Sequence, residues 1–281
     1  MMMSQLTFPT IPLADLQPTR DILQNYAKVL GKIRRALTPP QKHWWHISLR
    51  VVPNGLTTTA IPISSADEAT CEMILNLQPF PEITMATSHG QTWAMPLTGQ
   101  SVSEFCDTVL VILTKWGVEV DIDRSPFTDA TPATLDPTAA QRYCQALVNI
   151  DQVFKQFKAE LPGETGPVQL WPHHFDLAML WFSGRKVPGV DPANEEYADE
   201  QMNFGFSTGD EGISNPYFYA IAYPWPEAIV TAPLPSGAIW HTQGWKGALL
   251  MYDSLVESDK PAEKLLAYLR AVYQAGSTLM R

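Results

Sequence analysis

Between Trp171 and Asp176 the chain reads Trp-Pro-His-His-Phe-Asp, placing two imidazoles beside a carboxylate. These are side-chain types that ligate divalent metals and move protons. If the run is an extended strand, His174 and Asp176 point to one face, while His173, Phe175, Leu177, Met179 and Trp181 point to the other. A His-x-Asp pair followed by a distant histidine is the sequence form of the facial triad that holds non-haem iron, and His241 lies downstream. Oxygenases of that kind need a jelly roll and usually an arginine beyond the distal histidine. Here Lys246 follows His241 and no arginine stands before Arg270, which argues against an oxygenase. The plainer alternative is a structural pair, with Asp176 orienting the imidazole or accepting backbone N–H groups at a strand end.

A second polar set lies on the run Trp44–Val52. Read as a strand, it puts Trp45, Ile47, Leu49 and Val51 on an apolar face and Trp44, His46, Ser48 and Arg50 on a polar-aromatic one. Rings, an imidazole and a guanidinium together could grip a small anionic or planar ligand; the alternative is an amphipathic strand with a solvated face. The acidic stretch with Asp199, Glu200, Asp210 and Glu211 could fold back as a lid and add a carboxylate, or could be a wet surface loop. The candidates are therefore His174, Asp176 and His46 for acid–base catalysis, and His173, His174, Asp176, His241 and Glu200 for a divalent metal, the one cofactor these residues suggest. Trp44 and Arg50 are the candidates for substrate contact.

Other matches are weaker. Gly205-Phe206-Ser207-Thr208-Gly209 fits G-x-S-x-G, but Asp210-Glu211-Gly212 and Pro216 follow where a nucleophile elbow needs a helix. Leu161–Gly166 lacks the lysine of a phosphate loop, and no G-x-G-x-x-G follows a strand. Lys28, Lys32, Arg34 and Arg35 share a helix face that could steer an anion, or simply be solvated.

These residues must be carried by a folded chain, and the composition supplies one. With 281 residues and 45% hydrophobic content, a large core can be buried without staples. The net charge of −10 removes the electrostatic term that nucleic-acid binding needs. Cys71, Cys106 and Cys144 are odd in number and never form C-x-x-C, so they read as buried thiols in a reducing, cytoplasmic setting. Met1–Leu16 lacks the basic and continuous apolar regions of an export signal, and no stretch approaches the ~18 apolar residues of a membrane span. The partner class is a small molecule; the oligomeric state is left open.

The periodicity predicts a helix capped by Thr19 and running to about Leu37, with Pro39-Pro40 stopping it. The runs Trp44–Val52 and Leu56–Ile63, joined through Asn54-Gly55, predict a hairpin that pairs Arg50 with Thr59 and Val51 with Thr58. Further β-like runs at Cys71–Leu77, Ile83–Thr87 and Gln91–Met95 form a meander, and a helix starts near Ser101 or Ser103 and ends at Trp116-Gly117. From Pro137 the pattern resumes with a long helix to about Leu161. Strands follow at Val168–Trp171, Phe175–Phe182, Tyr217–Tyr223, Ala238–His241 and Leu249–Tyr252, and then a helix over about Lys260–Thr278. The stretch between Phe182 and Tyr217 shows no clear period and is expected to be a long loop. The class is α+β, antiparallel sheets with packed helices, as one domain over 1–281 or two halves, 1–130 and 131–281, each reading helix, strands, helix.

Three blocks resemble a known family: GKIRRALTPPQKHWWHISLRVVPNGLTTTAIP at 31–62, FDLAMLWFSGR at 175–185 and PYFYAIAYPWP at 216–226. They look like the bacterial domain-of-unknown-function family DUF5996. The resemblance implies one full-length unit rather than a fusion, and it carries no catalytic role onto any residue. Function is then read from the residues alone: a small-molecule enzyme or binder with a His/Asp polar centre, or a non-catalytic ligand-binding or interaction protein that uses aromatic sheet faces.

Overall fold

In the computed structural model the described residues are 6–63 and 69–280. The first five residues, part of the stretch read for an export signal, lie outside them. Two compact units form: an N-terminal unit of residues 14–144 and 170–175, and a C-terminal unit of residues 1–13, 145–169 and 176–281. Each contains helices and an antiparallel sheet, so the class is α+β. No helix among the described residues is long and apolar enough to cross a membrane.

In the N-terminal unit, α1 (Leu13–Leu37) buries Ile22, Leu23, Tyr26, Val29, Leu30 and Ile33, which recur at helical spacing. It starts ahead of Thr19. Pro18 sits inside the helix and forgoes one ladder bond, and Thr19 is buried in the interior, where its hydroxyl accepts the Asp136 N–H at 2.9 Å instead of capping. The sheet has the order β1-β2-β4-β5-β6, with β3 also on β4. Its strands are β1 (Arg50–Val52), β2 (Gly55–Thr57), β3 (Ile61–Pro62), β4 (Thr70–Asn76), β5 (Glu82–Thr87) and β6 (Thr92–Pro96). Helix α2 (Val102–Lys115) is capped by Ser101, whose hydroxyl accepts the Glu104 N–H, and it ends where Gly117 takes a positive φ of 78°. Tyr26 stacks on Phe105 with centroids 4.1 Å apart, tying α1 to α2.

Two expectations change here. The hairpin turns on Pro53-Asn54, so Arg50 pairs with Thr57 and Val51 with Leu56. The slip is two residues and leaves every side chain on its expected face. The strand expected over Trp44–Val52 is cut short. Residues Lys42–Ile47 form 3-10 turns, with His43 and Trp44 in left-handed conformation (φ 54° and 60°), and only Arg50–Val52 is a strand. The alternation of ring and polar residues imitates a pleat. The backbone instead curls around Arg34, whose guanidinium takes up the carbonyls of Trp45 and Ser48.

The C-terminal unit has the strand order β11-β12-β10-β9-β8. These strands are β8 (Asp176–Lys186), β9 (Asp199–Ser207), β10 (Tyr217–Tyr223), β11 (Ala238–His241) and β12 (Gly247–Met251). Strand β7 (Gln169–Trp171) precedes them, α3 (Pro137–Glu160) contributes its residues from Gln145 onward to this unit, and α4 (Tyr252–Val256) and α5 (Pro261–Leu279) close the chain. One sheet face meets the helices. Phe157 of α3 packs edge-on against Phe204 at 4.9 Å, Tyr273 of α5 packs against Trp181 at 5.1 Å, and Tyr268 donates to the Ala248 carbonyl at 2.8 Å. Burying each such ring contributes about 1.5–3 kcal/mol.

Strand β9 lies inside the expected loop. Met202, Phe204 and Phe206 alternate with Gln201, Asn203, Gly205 and Ser207, a period of two that the acidic and glycine-rich surroundings obscured. It became a central strand, paired with both β8 and β10.

Candidate functional site

The face of the C-terminal sheet opposite α3 and α5 has a different composition. Register places Ala178, Gly205 and Tyr219 in one cross-strand row, Leu180, Asn203 and Ile221 in the next, and Ser207 opposite Tyr217. Asp176, at the start of β8, shares this face by the pleat. Gly205 decides the geometry of the row. A Cβ there would stand 2.1 Å from Tyr219 Cζ and 2.3 Å from its hydroxyl, so the phenol ring lies flat across the β9 backbone only because no side chain occupies that position. The hydroxyl then reaches over β9 and donates to Asp176 Oδ2.

Burial raises the Tyr219 pKa well above 10.0, the Asp176 charge and hydrogen bond push it further, and a hydrogen bond from the Asn203 side chain opposes the rise. The phenol therefore stays a protonated donor. Asn203 Oδ1 is buried without a hydrogen-bond partner. Beside this chain, Tyr217 donates to Asp210 Oδ2 at 2.5 Å, and burial followed by that bond raises its pKa as well. Asp210 Oδ1 accepts the Gly212 and Ile213 N–H groups at 2.8 and 2.9 Å, which orders the turn after β9. The rings of Tyr217 and Trp245 lie 6.3 Å apart, near parallel at 22°, and His241 is 4.5 Å from Trp245. Trp245 covers Gly247 much as Tyr219 covers Gly205, since a Cβ there would be 2.5 Å from Trp245 Cζ3. The result is an aromatic floor fitted with hydrogen-bond acceptors.

The residues named from the sequence are dispersed. His173 and His174 sit on an exposed turn between β7 and β8, with rings 4.4 Å apart and the His173 carbonyl accepting from Gln24. The pleat that was to align His174 with Asp176 does not run through them, because the chain turns at residues 172–175 and Phe175 takes a φ of 58°. His241 on the edge strand β11 and Asp176 on β8 are separated by four strand spacings, ~19 Å across the sheet. Glu200 is near the far end of β9, on the helix side by the pleat, and pairs with Arg185 at 2.7 Å. Among the described residues no group of three or more His, Cys, Asp or Glu is placed to hold a metal ion, so His173, His174, Asp176, His241 and Glu200 do not assemble as one.

The acidic lid is likewise corrected. Asp199 and Glu200 are strand residues with their own cations, Asp199 with Lys186 at 2.8 Å, and Asp210 is committed to its turn. Ser207 ends β9 with no helix after it, and its hydroxyl accepts the Gly209 N–H at 3.1 Å, so no nucleophile elbow forms. In the N-terminal unit, His46 is buried, with Nδ1 accepting the Gln41 N–H at 3.1 Å, and the Trp44 ring stacks with it at 5.7 Å and meets the Arg35 guanidinium at 5.0 Å. Arg50 is half-buried in β1 opposite Thr57.

Sequence reasoning singled out Asp176 but not Tyr219, Asn203 or Gly205, which the structure brings beside it. The available signal was Phe-Gly-Phe in one strand and Tyr-Phe-Tyr in its neighbour, a missing side chain beside a ring that needs the space.

No curated protein and no solved structure matches the chain. Residues 8–281 match the family described as a family of unknown function (DUF5996), and with nearly its whole length covered the chain belongs to that family.

Proposed function

We propose that the protein is a small-molecule enzyme or binder whose polar centre is Asp176, Tyr219 and Asn203 on the face of the C-terminal sheet opposite α3 and α5. One observation carries the reading: Tyr219 is threaded across Gly205 to reach Asp176, an arrangement that needs a residue without a side chain at one position and a carboxylate two strands away. The tyrosine proton is used on the carboxylate, and Asn203 Oδ1 is a buried acceptor without a partner. The centre thus offers acceptors beside aromatic rings, which suits a ligand bearing an ammonium or other N–H donor. In an enzymatic version Asp176 accepts a proton from the ligand and Tyr219 holds the carboxylate in position. A divalent ion, if bound, takes Asp176 as its protein carboxylate and completes its shell with water or ligand. The reading is set in a reducing, cytoplasmic compartment. Three free, buried cysteines support that, with burial pushing Cys71 and Cys144 up to about 12.

The test is a thermal-shift panel of primary amines, quaternary ammonium ions and their neutral isosteres, run on the parent, Asp176→Asn and Tyr219→Phe, with elemental analysis of each. Cationic members should stabilise the parent, fail with Asp176→Asn and weaken with Tyr219→Phe. Equal response by parent and Asp176→Asn, or no response to any member, removes the proposal. A second reading, a non-catalytic binder using the rings alone, draws on the Tyr217–Trp245–His241 group. It predicts that neutral aromatic members bind and that Trp245→Ala abolishes the response while Asp176→Asn does not.

A further inference from the structure

Arg34 stands in the N-terminal unit with only 5% of its surface exposed, and among the described residues no acidic side chain pairs with it. Burial alone lowers its pKa, with no carboxylate opposing the effect, yet a guanidinium remains charged at physiological pH. Its hydrogen bonds all leave from Nη1, to the carbonyls of Trp45 and Ser48 and to the Ser48 hydroxyl. Nε is buried with no partner, and no hydrogen bond runs from Nη2 to a described residue. Nε–H and Nη2–H lie on the same edge of the guanidinium plane. That edge presents the two parallel donors that match a carboxylate or phosphate.

Thr38, one helical turn beyond Arg34, has a buried hydroxyl without a partner, and the Trp45 indole N–H is likewise buried and unpartnered. His46 has its Nδ1 engaged as acceptor, which leaves Nε2 carrying the proton. In sequence, no Asp or Glu occurs between Asp21 and Asp67, while Lys28, Lys32, Arg34, Arg35, Lys42 and Arg50 fall in that interval of a chain whose net charge is −10. The loop that Arg34 holds contains His43 and Trp44, two consecutive non-glycine residues in left-handed conformation. Such conformations persist where surrounding contacts enforce them and recur at ligand clamps. With Nε buried, binding of an anion at the fork would require this loop to shift while its carbonyls stay on Nη1.

We propose that the Nε–Nη2 edge of Arg34, with the Trp45 indole N–H and the Thr38 hydroxyl, is an oxyanion site that takes the two-oxygen face of a phosphate or carboxylate group, under the His43–Ile47 loop. This site is independent of the Asp176 centre.

The test follows arginine Nε–H and tryptophan indole N–H resonances of the full chain during separate titrations with inorganic phosphate and with malonate, against sodium chloride at matched ionic strength. One arginine Nε–H signal, absent in Arg34→Lys, should move saturably together with the Trp45 signal, identified by its loss in Trp45→Phe. Saturation with phosphate alone assigns a phosphate-bearing ligand, and saturation with malonate alone assigns a carboxylate. Trp45→Phe and Thr38→Val should each weaken binding several-fold, and Arg34→Lys, which loses the fork, roughly ten- to hundredfold. If Arg34→Lys fails to fold, the parent titration and the Trp45 and Thr38 variants still decide. A shift no larger than that caused by chloride in the folded parent, or full binding by both Trp45→Phe and Thr38→Val, overturns the proposal and leaves Arg34 a structural clasp for the loop.

Discussion

Replacing Gly205 with alanine tests the geometry on which the C-terminal centre depends. The new Cβ would fall 2.1 Å from Tyr219 Cζ, 2.3 Å from the hydroxyl oxygen and 2.4 Å from Cε1, all parts of one rigid ring. A flexible chain could move its tip aside; a phenol held by Asp176 has to leave as a whole. Overpacking of this kind costs about 1–3 kcal/mol, and losing the bond to a charged acceptor adds about 1.5–3 kcal/mol. Against this, alanine gains roughly 0.5–1 kcal/mol over glycine within a strand, since Gly205 has no positive φ. The balance is a destabilisation of roughly 1.5–5.5 kcal/mol. The assay is a double-mutant cycle by thermal unfolding: parent, Gly205→Ala, Tyr219→Ala and the double variant. With the ring gone, Gly205→Ala should become neutral or slightly stabilising, giving a coupling energy of about 2 kcal/mol or more. If Gly205→Ala costs the same with and without the Tyr219 ring, the ring does not lie across β9 and the account of the site fails.

Two further outcomes follow from ionisation. Tyr26, Tyr217, Tyr219, Tyr252 and Tyr268 all have pKa values raised above 10.0 by burial. Folded values above the unfolded one stabilise the protein fully below pH 10 and lose that contribution as pH rises through the folded range. Phenolate absorbance should therefore appear together with loss of circular dichroism in one alkaline transition; ionisation of these rings with the fold intact would contradict their burial. Glu160 has the opposite sign. The Arg270 hydrogen bonds hold it below 4.5, so its contribution is present above that pH and disappears as pH falls through the depressed folded value. Glu160→Gln should cost under about 1 kcal/mol at neutral pH, because the pair is half-exposed, and the difference from the parent should vanish in acid. A cost that persists at low pH would assign Glu160 a packing role.

The sequence made the elements governed by local chemistry legible. Ser101 caps α2, Gly117 ends it, and the turn at Ser88-His89-Gly90 joins β5 to β6 with Gly90 at a φ of 86°. Each of these depends on a residue and its neighbours within one turn. Where a distant group intervenes, the local reading fails. The alternation in His43–Arg50 fits a strand until Arg34, from the preceding helix, claims the Trp45 and Ser48 carbonyls and turns the backbone. Strand β9 shows the converse. Its alternation was present but masked by flanking acids, whose charges are balanced across the sheet by Lys186 and Arg185.

The candidate site follows the same division, and the reason is geometric. Period two tells which face a residue occupies, and it placed Asp176 among the polar candidates. It does not tell which residue stands beside it, because neighbours across a sheet come from strands whose register is fixed by turns elsewhere in the chain. Asp176 meets a hydroxyl from position 219 over a glycine at position 205. None of these three residues is informative alone. A histidine two positions from an aspartate attracts attention through its type, whereas here the glycine's missing side chain lets the hydroxyl reach the carboxylate. For this chain the more telling sequence signal is therefore steric: a glycine on the polar face of a central strand, beside a strand that carries Tyr217 and Tyr219 two residues apart.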